Sequence, residues 1–183
     1  MRSLIITFLI LPLLISCDNR TPGMKEIAKV INHPIQLENF EEVMWGDEVM
    51  KYSEFRQKFK YYSIVYLEDG CSPCYAKYVE WHKRIYSIKV PDDYTILFII
   101  NALNYEYFLN DVKRIEAFKS PFCTIMDPHF DFIRENPDIP RRIIDRSLLI
   151  DSLNSIKMIG APFETEELTK LFYDITNSKQ GKP

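Results

Sequence analysis

The chain has only four cysteines, Cys17, Cys71, Cys74 and Cys123, in 183 residues. That is too few for a scaffold built on disulfides, so each cysteine needs its own explanation. There is also no excess of charge of one sign. The formal net charge is −3, with acids and bases interspersed, and this excludes the basic footprint of a nucleic-acid-binding protein. Internal repeats and low-complexity segments are absent, which excludes solenoids and disordered tails as the main architecture. A structural zinc site would need a second pair of ligands to match Cys71 and Cys74, and none follows. Long apolar runs are missing apart from Leu4 to Ile15, which is too short for a comfortable membrane span and is interrupted by Pro12.

What is present fits one globular domain. Hydrophobic residues make up 46% and aromatics 14% of the chain, enough for a substantial core. The N-terminus reads as a targeting segment, with Arg2 as the positive end and Leu4 to Ile15 as the apolar stretch. It closes in Leu14-Ile15-Ser16-Cys17, which resembles the lipobox of bacterial lipoproteins. The alternative is an ordinary secretory signal with an incidental cysteine. The resemblance implies cleavage after Ser16 and a lipid on Cys17, and several acyl chains on one residue would give stable anchoring. Residues 1–16 are thus a signal peptide, 17–24 a lipidated tether, 25–178 the folded domain and 179–183 a tail. The expected location is extracytoplasmic, on the periplasmic side of a membrane, where disulfides can persist.

Chemistry concentrates at Cys71-Ser72-Pro73-Cys74. Tyr62 to Leu67 is an apolar run that reads as a buried strand, and Tyr75 to Ile88 reads as a helix. A helix start offers free N–H groups and a favourable dipole for a negative sulfur at Cys71. The thiolate is the reacting form, and Cys74 lies about one turn on, within reach of a mixed disulfide on Cys71. Pro73 suits a position with no intrahelical use for an N–H. The competing readings are a static disulfide and half a metal site. His82 is too far along the helix, about 12 Å from Cys74, to share a metal with it. It reads as a core residue at the edge of an apolar stripe, and Cys123 as a buried free thiol, with a third redox cysteine as the alternative. Glu68 and Asp69 read as a solvated turn, the alternative being a role in raising the thiol pKa or moving a proton.

The rest alternates. A hairpin is expected at Glu42–Trp45 and Glu48–Lys51 around Gly46-Asp47, with a short first strand at Ile35–Leu37 and a short helix carrying Phe55 and Phe59. An inner strand runs from Tyr94 to Ile100, and a second amphipathic helix carries Tyr105, Phe108, Leu109, Val112, Ile115 and Phe118. Pro121 to Asp127 is a further short strand ending in a turn, Phe130 to Pro140 a loop, and Arg142–Ile150 and Ser155–Ile159 two strands before a last helix with Leu168, Leu171, Phe172 and Ile175. This order predicts an α/β fold, a central mixed sheet with helices on both faces.

With the motif and the element order in place, the chain resembles the thioredoxin superfamily. More narrowly, it is similar to the lipid-anchored thiol-disulfide oxidoreductases of bacterial envelopes. The resemblance spans about Ile35 to Ile175. It rests on Cys71-Ser72-Pro73-Cys74 and on Leu148-Leu149-Ile150-Asp151 followed by Ile156-Lys157-Met158-Ile159-Gly160. It implies that Cys71 attacks and Cys74 resolves, without a cofactor, on exported cysteine-containing proteins and with a redox partner in the envelope. Three positions depart from the family. Gly70 stands where an aromatic usually precedes the first cysteine, Val65 where many members carry a buried acid, and Asp145 or Arg146 where a cis-proline is expected. These departures motivate a second reading: a binding or assembly lipoprotein on the same scaffold, with a structural or inactive CxxC. A peroxiredoxin-type peroxidase is disfavoured, because Glu68 occupies the place of the threonine or serine that the chemistry would need.

Overall fold

The computed structural model describes residues 22–46, 48–115 and 122–177. Cys17, the signal segment, Phe118 and the tail 179–183 lie outside them. Seven strands form one sheet: β1 (Glu42–Trp45), β2 (Glu48–Lys51), β3 (Tyr61–Glu68), β4 (Tyr94–Asn101), β5 (Cys123–Met126), β6 (Leu148–Ile150) and β7 (Ile156–Ile159). Their order across the sheet is β2-β1-β5-β4-β3-β6-β7. β3, β4 and β5 are parallel, and β1, β2, β6 and β7 add antiparallel edges.

The described residues form seven helices: α1 (Pro22–Val30), α2 (Tyr52–Lys58), α3 (Ser72–Arg84), α4 (Tyr105–Ile115), α5 (Asp131–Glu135), α6 (Arg141–Ile144) and α7 (Glu166–Asn177). They cover both faces of the sheet, and the side-chain alternation of β3 shows why its sequence is apolar throughout. Tyr62, Ile64 and Tyr66 enter one core with Phe55, Phe132 and Ile143 from α2, α5 and α6. Tyr61, Val65 and Leu67 enter the other core with Tyr78, Phe108 and Phe172 from α3, α4 and α7. A strand buried on both faces has no polar side to present.

The mixed sheet, the hairpin at Gly46 and the β6–β7 pair agree with the expectations from sequence. Several segments differ. Ile35–Leu37 is not a strand; only a single bridge, Pro34 to Ser155, joins that region to the sheet edge. The predicted loop 130–140 contains α5. The first half of the predicted strand Arg142–Ile150 is α6, leaving only Leu148–Ile150 extended. Pro140 stands at the N-cap of α6, where the chain has no intrahelical use for an N–H. α1 begins at Pro22, inside the stretch read as a tether. The predicted helix from Tyr75 to Ile88 ends as an α-helix at Arg84, and a single 3₁₀ turn, Ile85–Ser87, follows. Tyr86, placed on the apolar face by its spacing, is exposed there.

Candidate functional site

β3 ends at Glu68 level with the end of β4, and a two-residue turn delivers the chain to α3. Gly70 makes that turn at φ +73°, a conformation that side chains disfavour. Its N–H donates to the Tyr75 hydroxyl at 2.6 Å and to Asp69 Oδ1 at 3.0 Å. Tyr75 in turn donates to Asp69 Oδ1 at 2.6 Å and reaches Asp111 Oδ2 of α4 at 3.2 Å. Asp69 is exposed in the turn, as expected, and its carboxylate also holds that turn together through these two bonds. Gly70, where a larger residue was anticipated from the resemblance, is what this turn requires.

Cys71 is the N-cap of α3. Its Sγ accepts the N–H of Cys74 at 3.3 Å and its carbonyl accepts the same N–H at 2.8 Å. Pro73 occupies the first turn, as its missing N–H allows. The two cysteines are joined in a disulfide with Cα atoms 5.2 Å apart. Both are partly exposed, so the pair is neither entombed nor splayed. The geometry places Cys71 Sγ where orphan helix donors stabilise negative charge, and Cys74 within bonding distance of it.

A cleft of about 260 Å³ opens beside the disulfide, lined by Tyr66, Glu68, Cys71, Cys74, Lys77, Arg141 of α6 and Asp145 just after it. Arg141 of α6 closes its far wall. It pairs with Glu68 at 2.8 Å and with Asp145 at 2.7 Å, and its guanidinium lies 4.9 Å from the centre of the Tyr66 ring. Glu68 is thus an ion-pair partner across the cleft, not part of a solvated turn. Lys77 donates to the Asp145 carbonyl at 2.7 Å. Loss of water around its ammonium brings its pKa down to about 8, Arg141 pushes the same way, and Asp145 and Glu80 oppose. The Tyr66 hydroxyl is buried and has no hydrogen-bond partner; burial first, then the nearby Asp127, pushes its ionisation far above the ordinary tyrosine range.

The strand β6 packs against β3 directly behind this site. The residues before it are Asp145, Arg146 and Ser147, all in trans peptides; Ser147 takes φ +90°. Backbone groups at this corner are already engaged. Asp145 N–H donates to the Arg141 carbonyl, and the Asp145 carbonyl receives Lys77.

His82 and Cys123 lie away from the cleft. His82 stacks on Phe98 with centroids 5.2 Å apart and planes within 2°, and its Nδ1–H donates to the Tyr78 carbonyl at 2.8 Å. Burial lowers its pKa to about 4, which keeps the ring neutral, as a core residue should be. Cys123 on β5 is a buried free thiol pushed up to about 12 by burial. Among the described residues, no group of three or more His, Cys, Asp or Glu side chains is placed to hold a metal ion. No described helix is long and apolar enough to cross a membrane. Lys77, Arg141 and Tyr66 carried no sequence signal of their own, and Asp145 stood out only as a place where a proline was expected. Lys77 and Asp145 are 68 residues apart, and Glu68 and Arg141 are 73 apart.

No family model and no curated protein matches the sequence. Solved structures do match in fold. The thioredoxin domain of a thiol-disulfide oxidoreductase from Bacteroides vulgatus superposes over 79% of this chain and 96% of its own, with TM-score 0.52 and 13% identity. A thioredoxin from Wuchereria bancrofti does so over 76% and 98%, with TM-score 0.53 and 16% identity. A DsbF homologue from Corynebacterium diphtheriae covers 84% and 95%, with TM-score 0.50 and 16% identity. The chain has the thioredoxin-like fold, with a disulfide-bonded CxxC pair at the end of β3 and the start of α3.

Proposed function

We propose that the protein is a thiol-disulfide oxidoreductase that exchanges disulfides with exported cysteine-containing proteins. Cys71 attacks or is attacked, and Cys74 resolves the mixed disulfide. The observation that carries this reading is the Cys71–Cys74 disulfide itself: it caps the leading end of α3, is partly exposed, and borders an open cleft. A purely structural cross-link has no need of such a cleft. The lipobox-like ending at Cys17 supports attachment to an envelope membrane through lipid on that residue, with the domain outside the cytoplasm and an envelope redox partner resetting the pair.

The test is a Cys74→Ser variant expressed with its export signal. The expected result is a set of mixed disulfides on Cys71, visible on non-reducing gels and collapsed by dithiothreitol. Their absence, with wild-type protein that also fails to reduce a protein disulfide such as insulin, would exclude the enzyme reading.

A second reading, a binding or assembly lipoprotein with weak chemistry, is favoured by one specific feature. The corner before β6 has no proline, and its backbone at Asp145 is occupied by Lys77 and Arg141. An extended substrate would find fewer free backbone groups there. On that reading the Cys71→Ser/Cys74→Ser double variant retains the biological role.

A further inference from the structure

Resolution of a mixed disulfide needs Cys74 as a thiolate, so its proton must go somewhere. The groups lining the cleft narrow the choice. The Glu68 and Asp145 carboxylates are both tied to the Arg141 guanidinium. The Tyr66 hydroxyl holds its proton too firmly, because it is buried close to Asp127. Val65, which the resemblance would make an acid, is apolar and faces the core under α3. One further ionisable group lines the cleft. Lys77 follows Cys74 by three residues on α3, and positions three apart share a helix face.

We propose that Lys77 is the acid–base group of the cysteine pair, its neutral amine taking the proton of Cys74 and its ammonium returning that proton to the departing thiolate. This rests on the redox reading given above. The step balances within the protein and its substrate. The Cys74 S–H proton passes to the Lys77 amine, and the Cys74 thiolate attacks Cys71 Sγ. A Cys71–Cys74 bond forms as the bond from Cys71 to the substrate sulfur breaks. The substrate sulfur leaves with the bonding electron pair and collects the proton from Lys77. The protein dithiol ends oxidised, and the substrate disulfide ends as two thiols.

The charged surroundings fit that role. On the cleft side Lys77 faces Asp145 and Arg141, with Glu68 beyond; on its other side lie Glu80 and Arg84 of its own helix, Arg146, and Glu164 before α7. The dominant influence is its loss of water, which brings the amine to about 8, next to the ~8.5 of an ordinary thiol. A proton can then pass between the two groups in either direction. The Asp145 carbonyl fixes the amine at 2.7 Å and uses only one of its hydrogens.

The experiment uses the reduced protein and 2,2′-dithiodipyridine, an uncharged disulfide that releases one absorbing thione when Cys71 is capped and a second when Cys74 resolves. In Lys77→Met the second release is read against the first in the same trace, so any general effect on Cys71 is divided out. The second slows by about tenfold or more near pH 7, and its pH profile moves to the alkaline side. Lys77→Arg keeps the charge but cannot give up a proton near neutrality, and is expected to be as slow as Lys77→Met. An unchanged second release in Lys77→Met overturns the proposal, and so does full recovery in Lys77→Arg, which would reduce Lys77 to a fixed charge. Wild-type protein that shows no rapid first release refutes the redox reading itself, and this proposal with it.

Discussion

Lowering the pH from 8 to 5 should weaken the fold by about 2 kcal/mol through His82 alone. The ring sits among Tyr78, Phe98 and Phe122 on the helix that carries the cysteines. Burial brings its pKa to about 4 in the folded chain, against about 6.5 for an unperturbed histidine. Because the folded value is depressed, the stabilisation is complete above pH 6.5. It is lost as the pH falls, because the unfolded chain takes up a proton that the folded chain refuses. The loss reaches roughly 3 kcal/mol by pH 4, where folded His82 begins to titrate as well. Urea denaturation at pH 8, 6.5 and 5, in wild type and in His82→Phe, isolates the effect. Phenylalanine keeps the aromatic stack and removes the proton site. Its fit in the slot affects all three pH values equally, so the readout is the slope. Wild type should lose about 2 kcal/mol more than His82→Phe between pH 8 and 5. Equal slopes would show that the buried imidazole does not carry this linkage.

Three further outcomes follow from single residues. Gly70→Ala should cost about 1–2 kcal/mol in thermal or urea denaturation, because its φ of +73° is strained for alanine while its Cβ would meet nothing within 4 Å. An alanine as stable as glycine would contradict that turn geometry. Tyr66→Phe removes a buried hydroxyl with no partner and should leave stability unchanged or slightly raised. Tyr62→Phe, by contrast, breaks a 2.7 Å bond to Asn154 and a 3.1 Å bond from Arg56, and should cost about 1–2 kcal/mol. Reversal of that order would refute both assignments. Cys123, buried in the core and held at about 12, should resist an uncharged alkylating reagent for hours in native, reduced protein while Cys71 is modified; equal labelling would place it at the surface.

The parts of the fold that could be read from sequence are those whose signal is local. β3 and β4 are unbroken apolar runs, and their burial on both faces follows directly from that pattern. The β1–β2 hairpin was marked by Gly46, which takes φ +62°. The CxxC turn was visible because its spacing has a mechanical meaning. α5 and α6 were not legible: five and four residues are too few for a helical period to register, and isolated helices of that length do not persist in water. Packing of Phe132, Ile143 and Ile144 against the sheet holds them in place. The cleft was hidden for a related reason. Arg141 fell between a segment read as loop and one read as strand, Asp145 fell inside that strand, and only the docking of α6 beside β3 brings them to Lys77 and Glu68. Glu68 looked like a solvated turn residue because its partner Arg141, 73 residues away, becomes a neighbour only in the folded chain.

The central claim, that Cys71 and Cys74 form an exchanging pair rather than a fixed staple, meets its most direct test in a redox titration of the native protein. A bridge closing so short a loop contributes only about 2 kcal/mol through chain entropy, so the reduced protein should remain folded. In graded mixtures of oxidised and reduced glutathione, followed by alkylation and mass measurement, the pair should pass reversibly between dithiol and disulfide with both forms native by circular dichroism. A bridge that yields only when the protein is unfolded would contradict the account.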